Sequence, residues 1–171
     1  MKILETERLR LRTVEQSDAV FYLTVVNSPG FLEFIGDRGI RTVEAAAKAI
    51  AEGPMAMQAS LGHSIYLVES KESGQPLGMS GLIKRDTLEH VDIGYAFLPE
   101  HCGNGYALEA ALAVREHARR DIGLARLLAI VSPGNAASIR LLEKIGMRLD
   151  KVVRLTPEDP GTKLYFLDFA K

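Results

Sequence analysis

One loop constrains the fold of this chain more than any other feature, because it joins a strand pattern directly to a helix pattern. The strand pattern ends at Pro99, residues 101–107 contain the order Gly-Asn-Gly, and a helical period begins near Gly105. The start of a helix leaves about four backbone N–H groups without partners and carries roughly half a positive charge. Glycine lets the backbone approach a bound group closely. The loop therefore predicts a phosphate-binding site at the start of a helix.

The two glycines alone are also compatible with an ordinary tight turn. Two well-known phosphate motifs do not match. No Gly-Lys-Ser/Thr follows, which excludes a P-loop, and the third glycine of the dinucleotide fingerprint is missing. The strands before the loop are spaced as a meander and not as a β-α-β unit. The loop by itself therefore leaves the phosphorylated ligand open.

Apolar periodicity predicts one α+β domain over residues 1–171, with the element order β-α-α-β-β-β-α-β-α-β-β. Strands are predicted at residues 9–12, 65–68, 77–83, 91–98, 127–131, 152–153 and 164–169. Four helices are predicted. The first covers residues 17–27 and is stopped by Pro29-Gly30, and the second begins at Thr42 and is stopped by Gly53-Pro54. The third begins after Gly105, and the fourth covers residues 135–145. Residues 31–41 are predicted to form a loop.

The composition excludes several classes of function. The 171 residues carry 21 Lys and Arg against 22 Asp and Glu, so there is no overall basic charge to attract nucleic acid or an anionic membrane. The single cysteine, Cys102, cannot form an internal disulfide or a cysteine-rich metal site, and the four histidines lack metal-ligand spacing. No apolar run approaches the roughly 20 residues that cross a bilayer. We therefore expect a cytoplasmic protein without a metal.

Three segments carry a resemblance to a known family. Residues 92–110 look like the acyl-CoA signature of the GNAT acetyltransferase superfamily, and residues 135–147 are similar to the late helix of that family. Residues 5–12 resemble the first strand of the branch that contains the ribosomal-protein N-terminal (alanine/serine) acetyltransferases. The resemblance spans essentially the whole chain, because these segments lie at its beginning, middle and end.

The resemblance implies a single-domain GNAT-like fold, with a mixed, mostly antiparallel sheet flanked by about four helices. It implies direct transfer of acetyl from acetyl-CoA, as co-substrate, to a primary amine of a protein N-terminus or a small molecule, by a monomer or homodimer. Many members place a Tyr on the late helix where this chain has Leu142. That departure leaves two alternatives, a non-catalytic acyl-CoA-binding regulatory domain and a dimeric scaffold with a vestigial loop.

The resemblance also implies which residues hold the co-substrate. The backbone at the end of the strand before the loop pairs with the pantetheine arm, an amide near Phe97 faces the thioester oxygen, and the loop amides face the pyrophosphate. Cys102 stands where Gln, Arg or Trp is commoner, which removes a side-chain contact. The predicted binding residues are Tyr95, Ala96, Phe97, Leu98, Cys102, Gly103, Asn104, Gly105, Tyr106, Ala107, Leu108, Asn135 and Ser138.

Two residues are predicted to be catalytic. Asp92 is the candidate base for the amine proton and lies where the family often has Glu; its alternative role is a structural partner for a nearby Arg. Ser138 is the polar group one turn before Leu142 and is the candidate hydrogen-bond partner of the sulfur. Its alternative is a first-turn residue without chemistry, and Asn135 is both a candidate N-cap and a candidate pantetheine contact.

The resemblance places the acceptor amine against residues 31–41 and 156–161. Carboxylates there suit a cationic amine, and Arg38 suits a substrate carboxylate. An ordinary mobile loop is the alternative for each of these segments. The specificity candidates are Phe31, Phe34, Asp37, Arg38, Glu158 and Asp159.

Overall fold

Eight strands form one mixed sheet in the order β1-β2-β3-β4-β5-β6-β8-β7 within residues 1–169, which the computed structural model describes. Residues 170 and 171 of the predicted domain lie outside the described residues. Neighbouring strands are antiparallel except for β5 and β6, which are parallel. The strands are β1 Lys2–Glu5, β2 Leu9–Thr13, β3 Ile65–Ser70, β4 Pro76–Ile83, β5 Asp92–Phe97, β6 Arg126–Val131, β7 Arg148–Val153 and β8 Thr162–Asp168.

The helices cover both faces of this sheet. They are α1 Ala19–Val26, α2 Pro29–Phe34, α3 Val43–Ile50, α4 Ala56–Leu61, α5 Tyr106–His117 and α6 Ala136–Lys144. The side chain of Thr42 caps α3 by accepting the amide hydrogen of Ala45, and Gly123 and Gly146 adopt left-handed backbone after the later helices. In the described part of the chain, no helix combines the length and the apolar character needed to cross a bilayer.

The predicted fold class and the succession of the predicted strands along the chain are confirmed, with one strand added. The sequence pattern did not reveal β1, because its four residues lack a clear alternation and are half-buried or exposed. Tertiary pairing with β2 decides its conformation, in a register that joins Lys2 to Arg12 and Glu5 to Arg10.

One predicted loop and one predicted helix end were wrong. The first helix ends before Pro29-Gly30 as predicted, but residues 31–41 are not all loop, because Pro29 begins α2; proline is well suited to the first helical position, where its missing N–H would have no partner. Gly53-Pro54 does not stop the helix that begins after Thr42. A π-helical turn over Ala51–Met55 accommodates Pro54, and the chain continues into α4 until Gly62.

Two apolar clusters hold the layers together. On one face, α5 packs with Ala110, Ala111 and Val114 fully buried, in a cluster that includes side chains of the sheet and of α6. On the other face, α1 and α3 form the second cluster, which includes Val25 and Ile50. The sheet is thus covered on both faces, and its parallel pair lies between the two helical layers.

Candidate active site

A cleft opens where the parallel strands β5 and β6 diverge. Their register contains a single pair, Asp92 with Leu128, whereas β5 stays paired with β4 from Ile83↔Asp92 to Gly78↔Phe97. The edge of β5 that faces β6 is therefore free beyond Asp92, as an extended ligand requires for backbone pairing. The cleft has a volume of about 1040 Å³ and is lined by β5, β6, the start of α6, α2 and residues 155–162.

The glycine loop lies between β5 and α5. Gly103 and Gly105 have φ angles of 84° and 79°, in the left-handed region that favours glycine. A Cβ added at Gly103 would meet no protein atom within 4 Å, so open space lies beside this backbone. The first turn of α5 is closed by the amide of Glu109, which donates to the Gly105 carbonyl at 3.0 Å. The helix start and the exposed loop before it fit a phosphate group.

The remaining predicted loop residues lie between the end of β5 and the first turn of α5. Cys102 and Asn104 are exposed, and the Cys102 thiol is directed back to the Leu98 carbonyl, with 3.5 Å between sulfur and oxygen. Tyr106, Ala107 and Leu108 form the first turn of α5 and are half-buried. The structure therefore brings the whole predicted loop to one end of β5.

Asp92 is the buried charge of this cleft. Its side chain has no exposed surface, and its Oδ2 accepts a hydrogen bond of 2.9 Å from Nε of Arg85. Its other oxygen, Oδ1, has no hydrogen-bond partner among the described residues. Burial raises the pKa of Asp92 to about 6, and the opposing charge of Arg85 limits the rise. The arginine partner that was the alternative role for Asp92 is present and holds one oxygen, while the role of Asp92 as a base stays a prediction.

Tyr95 and Ser138 meet across the cleft. The phenol oxygen of Tyr95, on β5, lies 2.5 Å from Oγ of Ser138, on α6. Burial raises the pKa of Tyr95 to about 12, so the phenol remains protonated at neutral pH. Asn135 caps α6, because its Oδ1 accepts the amide hydrogen of Ser138 at 3.2 Å. Leu142, where many relatives carry Tyr, is buried beside them.

One wall of the cleft, here called the acceptor wall, consists of residues of α2, of the segment after it, and of 155–162. Among the six specificity candidates, Phe31, Phe34, Arg38, Glu158 and Asp159 line the cleft, whereas Asp37 does not. Hydrogen bonds with Arg41 and the Gly39 amide occupy the carboxylate of Asp37. The carboxylate of Asp159 accepts three hydrogen bonds within its own loop, so its role there is structural.

Sequence reasoning missed two contributions to this site. Arg85 was not identified, although it lies just beyond the Ile83–Asp92 pair at the end of the β4–β5 hairpin. A search of that turn for a cation near Asp92 would have found it. Tyr95 was predicted to act through its backbone, and nothing in the sequence pattern indicated that its side chain reaches Ser138.

Two of the four histidines lie in the interior of the fold. His63 and His117 are buried, and His117 Nε2 lies 3.0 Å from the phenol oxygen of Tyr66. Across residues 1–169, no three His, Cys, Asp or Glu side chains are grouped so that they could hold a metal ion.

The chain is similar to known acetyltransferases in sequence. The family model described as "Acetyltransferase (GNAT) domain" matches residues 8–148. The uncharacterized protein YkkB of Bacillus subtilis (strain 168) is 32% identical over 154 residues, which are 88% of each chain. The uncharacterized N-acetyltransferase YoaA of the same organism is 30% identical over 162 residues, which are 94% of this chain and 90% of that relative.

Solved structures share the fold. An acetyltransferase from Agrobacterium tumefaciens str. C58 has a TM-score of 0.82 at 27% identity, and the superposition covers 99% of this chain and 95% of that protein. A ribosomal-protein-S5-alanine acetyltransferase from Vibrio fischeri has a TM-score of 0.75 at 16% identity, with 98% and 96% covered. A spermidine N-acetyltransferase from Vibrio cholerae, in complex with CoA and spermine, has a TM-score of 0.79 at 15% identity, with 95% and 96% covered.

Proposed function

Since the chain belongs to the GNAT acetyltransferase family, we propose that it transfers an acetyl group from acetyl-CoA directly to a primary amine bound in the cleft beside Asp92. The observation that carries this proposal is the position of Asp92. It forms the last pair before β5 and β6 diverge, and its free oxygen Oδ1 is buried at the edge of the cleft. The attacking amine and its base thus share one enclosed place.

Asp92 accepts the proton of the amine in this proposal. The amine nitrogen forms the new N–C bond as the C–S bond of the thioester breaks, and the electron pair of the C–S bond leaves with the sulfur. The amine proton passes to the carboxylate directly or through one water. A base with a pKa of about 6 is largely ionised at neutral pH and still retains basicity. Arg85 holds Oδ2, so that Oδ1 alone is available to the amine.

The chain supplies four further contributions for the co-substrate. The free edge of β5 at Tyr95–Leu98 pairs with the pantetheine arm, and an amide near Phe97 donates to the thioester oxygen as negative charge develops. Amides of the glycine loop and of the first turn of α5 hold the pyrophosphate. The hydroxyl of Ser138, hydrogen-bonded to the phenol of Tyr95, donates to the leaving sulfur.

The acceptor that the site suits best is the α-amino group of a peptide. An α-amino group has a pKa of about 8 and a lysine-like amine one of about 10.4. For any one base, proton transfer from an α-ammonium group is therefore less unfavourable than from a lysine-like ammonium group by about 2.4 pKa units, or about 3 kcal/mol. The similarity in fold to a ribosomal-protein acetyltransferase is compatible with this acceptor.

A small polycationic amine is the second candidate acceptor. Glu33 and Glu158 are exposed carboxylates that line the cleft on the acceptor wall. Two carboxylates near the mouth of a cleft attract a molecule with several positive charges. A solved structure of similar fold is a spermidine N-acetyltransferase, which supports testing this class.

A thiol-release assay with acetyl-CoA tests the proposal on a panel of peptide N-termini and small amines. We expect release of CoA with at least one peptide, and a loss of about 10²-fold or more in kcat/KM in Asp92→Asn with CoA binding retained. Full activity of that variant would remove Asp92 from the mechanism. CoA-dependent thermal stabilisation without transfer to any amine would instead identify a non-catalytic acyl-CoA-binding domain.

A further inference from the structure

The turn between β1 and β2 is bonded to the glycine loop about 100 residues later in the chain. The carboxylate of Glu109, in the first turn of α5, accepts hydrogen bonds from the Thr6 hydroxyl and from the backbone amide of Arg8 at 2.5 and 2.9 Å. The Arg8 side chain donates from Nε to the other oxygen of Glu109 at 2.7 Å. One carboxylate thereby receives three donors from a single turn.

The same arginine reaches the loop itself. Its Nη1 donates to the backbone carbonyl of Asn104 at 2.9 Å, and its guanidinium lies 4.6 Å from the ring centroid of Tyr106. A Cβ added at Gly105 would lie 3.3 Å from Nη2 of Arg8. Arg8 thus lies against three consecutive residues at the point where the loop becomes a helix.

The turn that presents Arg8 is itself held in place. The Thr6 hydroxyl accepts the amide hydrogen of Leu9 at 3.0 Å, and the ammonium group of Lys71 donates to the Thr6 carbonyl at 3.1 Å. Partial burial opposes the ionisation of Glu109, but the donors from Thr6 and Arg8 outweigh it and hold the pKa of Glu109 below its ordinary value. The carboxylate is therefore ionised and paired.

We propose that Arg8 and Glu109 are positioning residues for the phosphates of acyl-CoA. Together they hold residues 104–106 in the conformation that binds the phosphates, and the positive charge of Arg8 neutralises the carboxylate of Glu109 beside the phosphate site. This inference rests on the proposed function, since it concerns the loop that receives acetyl-CoA. A free loop would lose conformational entropy when it closes on a phosphate, so a loop held in advance binds more tightly. An unpaired carboxylate in the first turn of α5 would repel the same phosphate.

Arg10 provides a matched control. It lies two residues further along, is similarly exposed, and forms ion pairs with Glu5 and Glu69 at 3.4 and 3.2 Å, away from the loop. Arg10→Met removes two surface ion pairs, whereas Arg8→Met removes the contacts with Glu109 and Asn104. A general loss of surface charge would affect both variants equally.

The experiment measures the Kd of CoA by calorimetry, and kcat and KM for acetyl-CoA, on the full chain. We expect Arg8→Met to raise the Kd and KM about tenfold, with kcat at saturating acetyl-CoA changed less than threefold, and Arg10→Met to stay within twofold of the unchanged protein. Glu109→Gln added to Arg8→Met should recover part of the affinity, because it removes the unpaired charge. A merely structural contact would lower the melting temperature without this recovery.

Equal Kd values for Arg8→Met and Arg10→Met would overturn the inference. If Arg8→Met does not fold, Arg8→Lys is the deciding variant, because it keeps the charge but cannot reach Glu109 and Asn104 together. We expect it to raise the Kd of CoA about threefold. An unchanged Kd of CoA would refute the positioning role. Failure of the unchanged protein to bind CoA would overturn the proposed function itself. That outcome is distinct from CoA binding that is insensitive to Arg8.

Discussion

Nε of Arg85 donates to Oδ2 of Asp92 at 2.9 Å, while Oδ1 of the same carboxylate has no partner among the described residues. The carboxylate is fully buried, and Arg85 retains about a third of its side-chain surface. Two opposing effects set the protonation of Asp92. Burial raises its pKa and the neighbouring guanidinium lowers it, with a balance at about 6. The pair therefore places the titration of this carboxylate near neutral pH, as the proposed role of a base requires.

Removing Arg85 should move the pH dependence of the reaction. Activity requires ionised Asp92, so kcat/KM rises with pH through the pKa of this group. In Arg85→Met the lowering effect is lost, and we expect the acidic limb of the profile of kcat/KM against pH to move upward by about one pH unit. Arg126→Met, which breaks another Arg–Asp pair outside the cleft lining, should leave the midpoint unchanged. An unmoved midpoint in Arg85→Met would mean that Asp92 does not control this limb.

The same burial should make Asp92 a pH-dependent cost to folding. Its pKa is about 6 in the folded protein against 3.8 as the ordinary value, so ionisation favours the unfolded chain. Its stabilising contribution is complete below pH 3.8 and is lost as the pH rises through 6. Asp92→Asn stays neutral, so its free energy of unfolding relative to the unchanged protein should increase by about 2 kcal/mol between pH 4 and pH 7. Denaturant titrations at both pH values measure this, and a constant difference would contradict it.

The hydrogen bond between Tyr95 and Ser138 should affect turnover more than binding. Tyr95→Phe removes only the phenol oxygen, so Ser138 loses the partner that orients its hydroxyl. We expect kcat to fall about three- to tenfold in Tyr95→Phe and in Ser138→Ala, with the Kd of CoA within twofold. The double variant should be no worse than either single one, because the two groups act as a unit.

Tyr165→Phe is the control for those variants, since Tyr165 is buried in β8 and outside the cleft lining. It should retain full kcat. Additive losses in Tyr95→Phe and Ser138→Ala would show that the two side chains act separately.

The backbone of the glycine loop can be tested with one methyl group. Gly103 has a φ of 84° and Gly74, in the β3–β4 turn, has a φ of 73°, and an added Cβ would meet no protein atom at either position. Alanine should therefore cost about 1–2 kcal/mol of stability at both sites through left-handed strain alone. We expect the Kd of CoA to rise at least fivefold in Gly103→Ala and to stay unchanged in Gly74→Ala. Equal CoA affinities would place the phosphates elsewhere.

Local patterns predicted most of the fold. Alternation over Leu9–Thr13 and short apolar runs in the central strands predicted those strands, and the caps at Thr42 and Asn135 marked two helix starts. These signals depend on a few neighbouring residues, so the sequence displays them directly. The errors came where proline signals had two local solutions. Pro29 begins a new helix instead of leaving a loop behind it, and a π-helical turn carries the chain through Pro54 into α4.

The sequence by itself determined that a glycine loop joins a strand to a helix and that the exposed helix start suits a phosphate, because backbone geometry and the helix dipole are local properties. Only the tertiary structure decided what surrounds that loop. The pairs Arg85–Asp92, Tyr95–Ser138 and Arg8–Glu109 depend on hairpin register, on the divergence of β5 from β6, and on a turn about 100 residues from its partner. Burial then set the pKa of Asp92, and burial is a property of the whole folded chain.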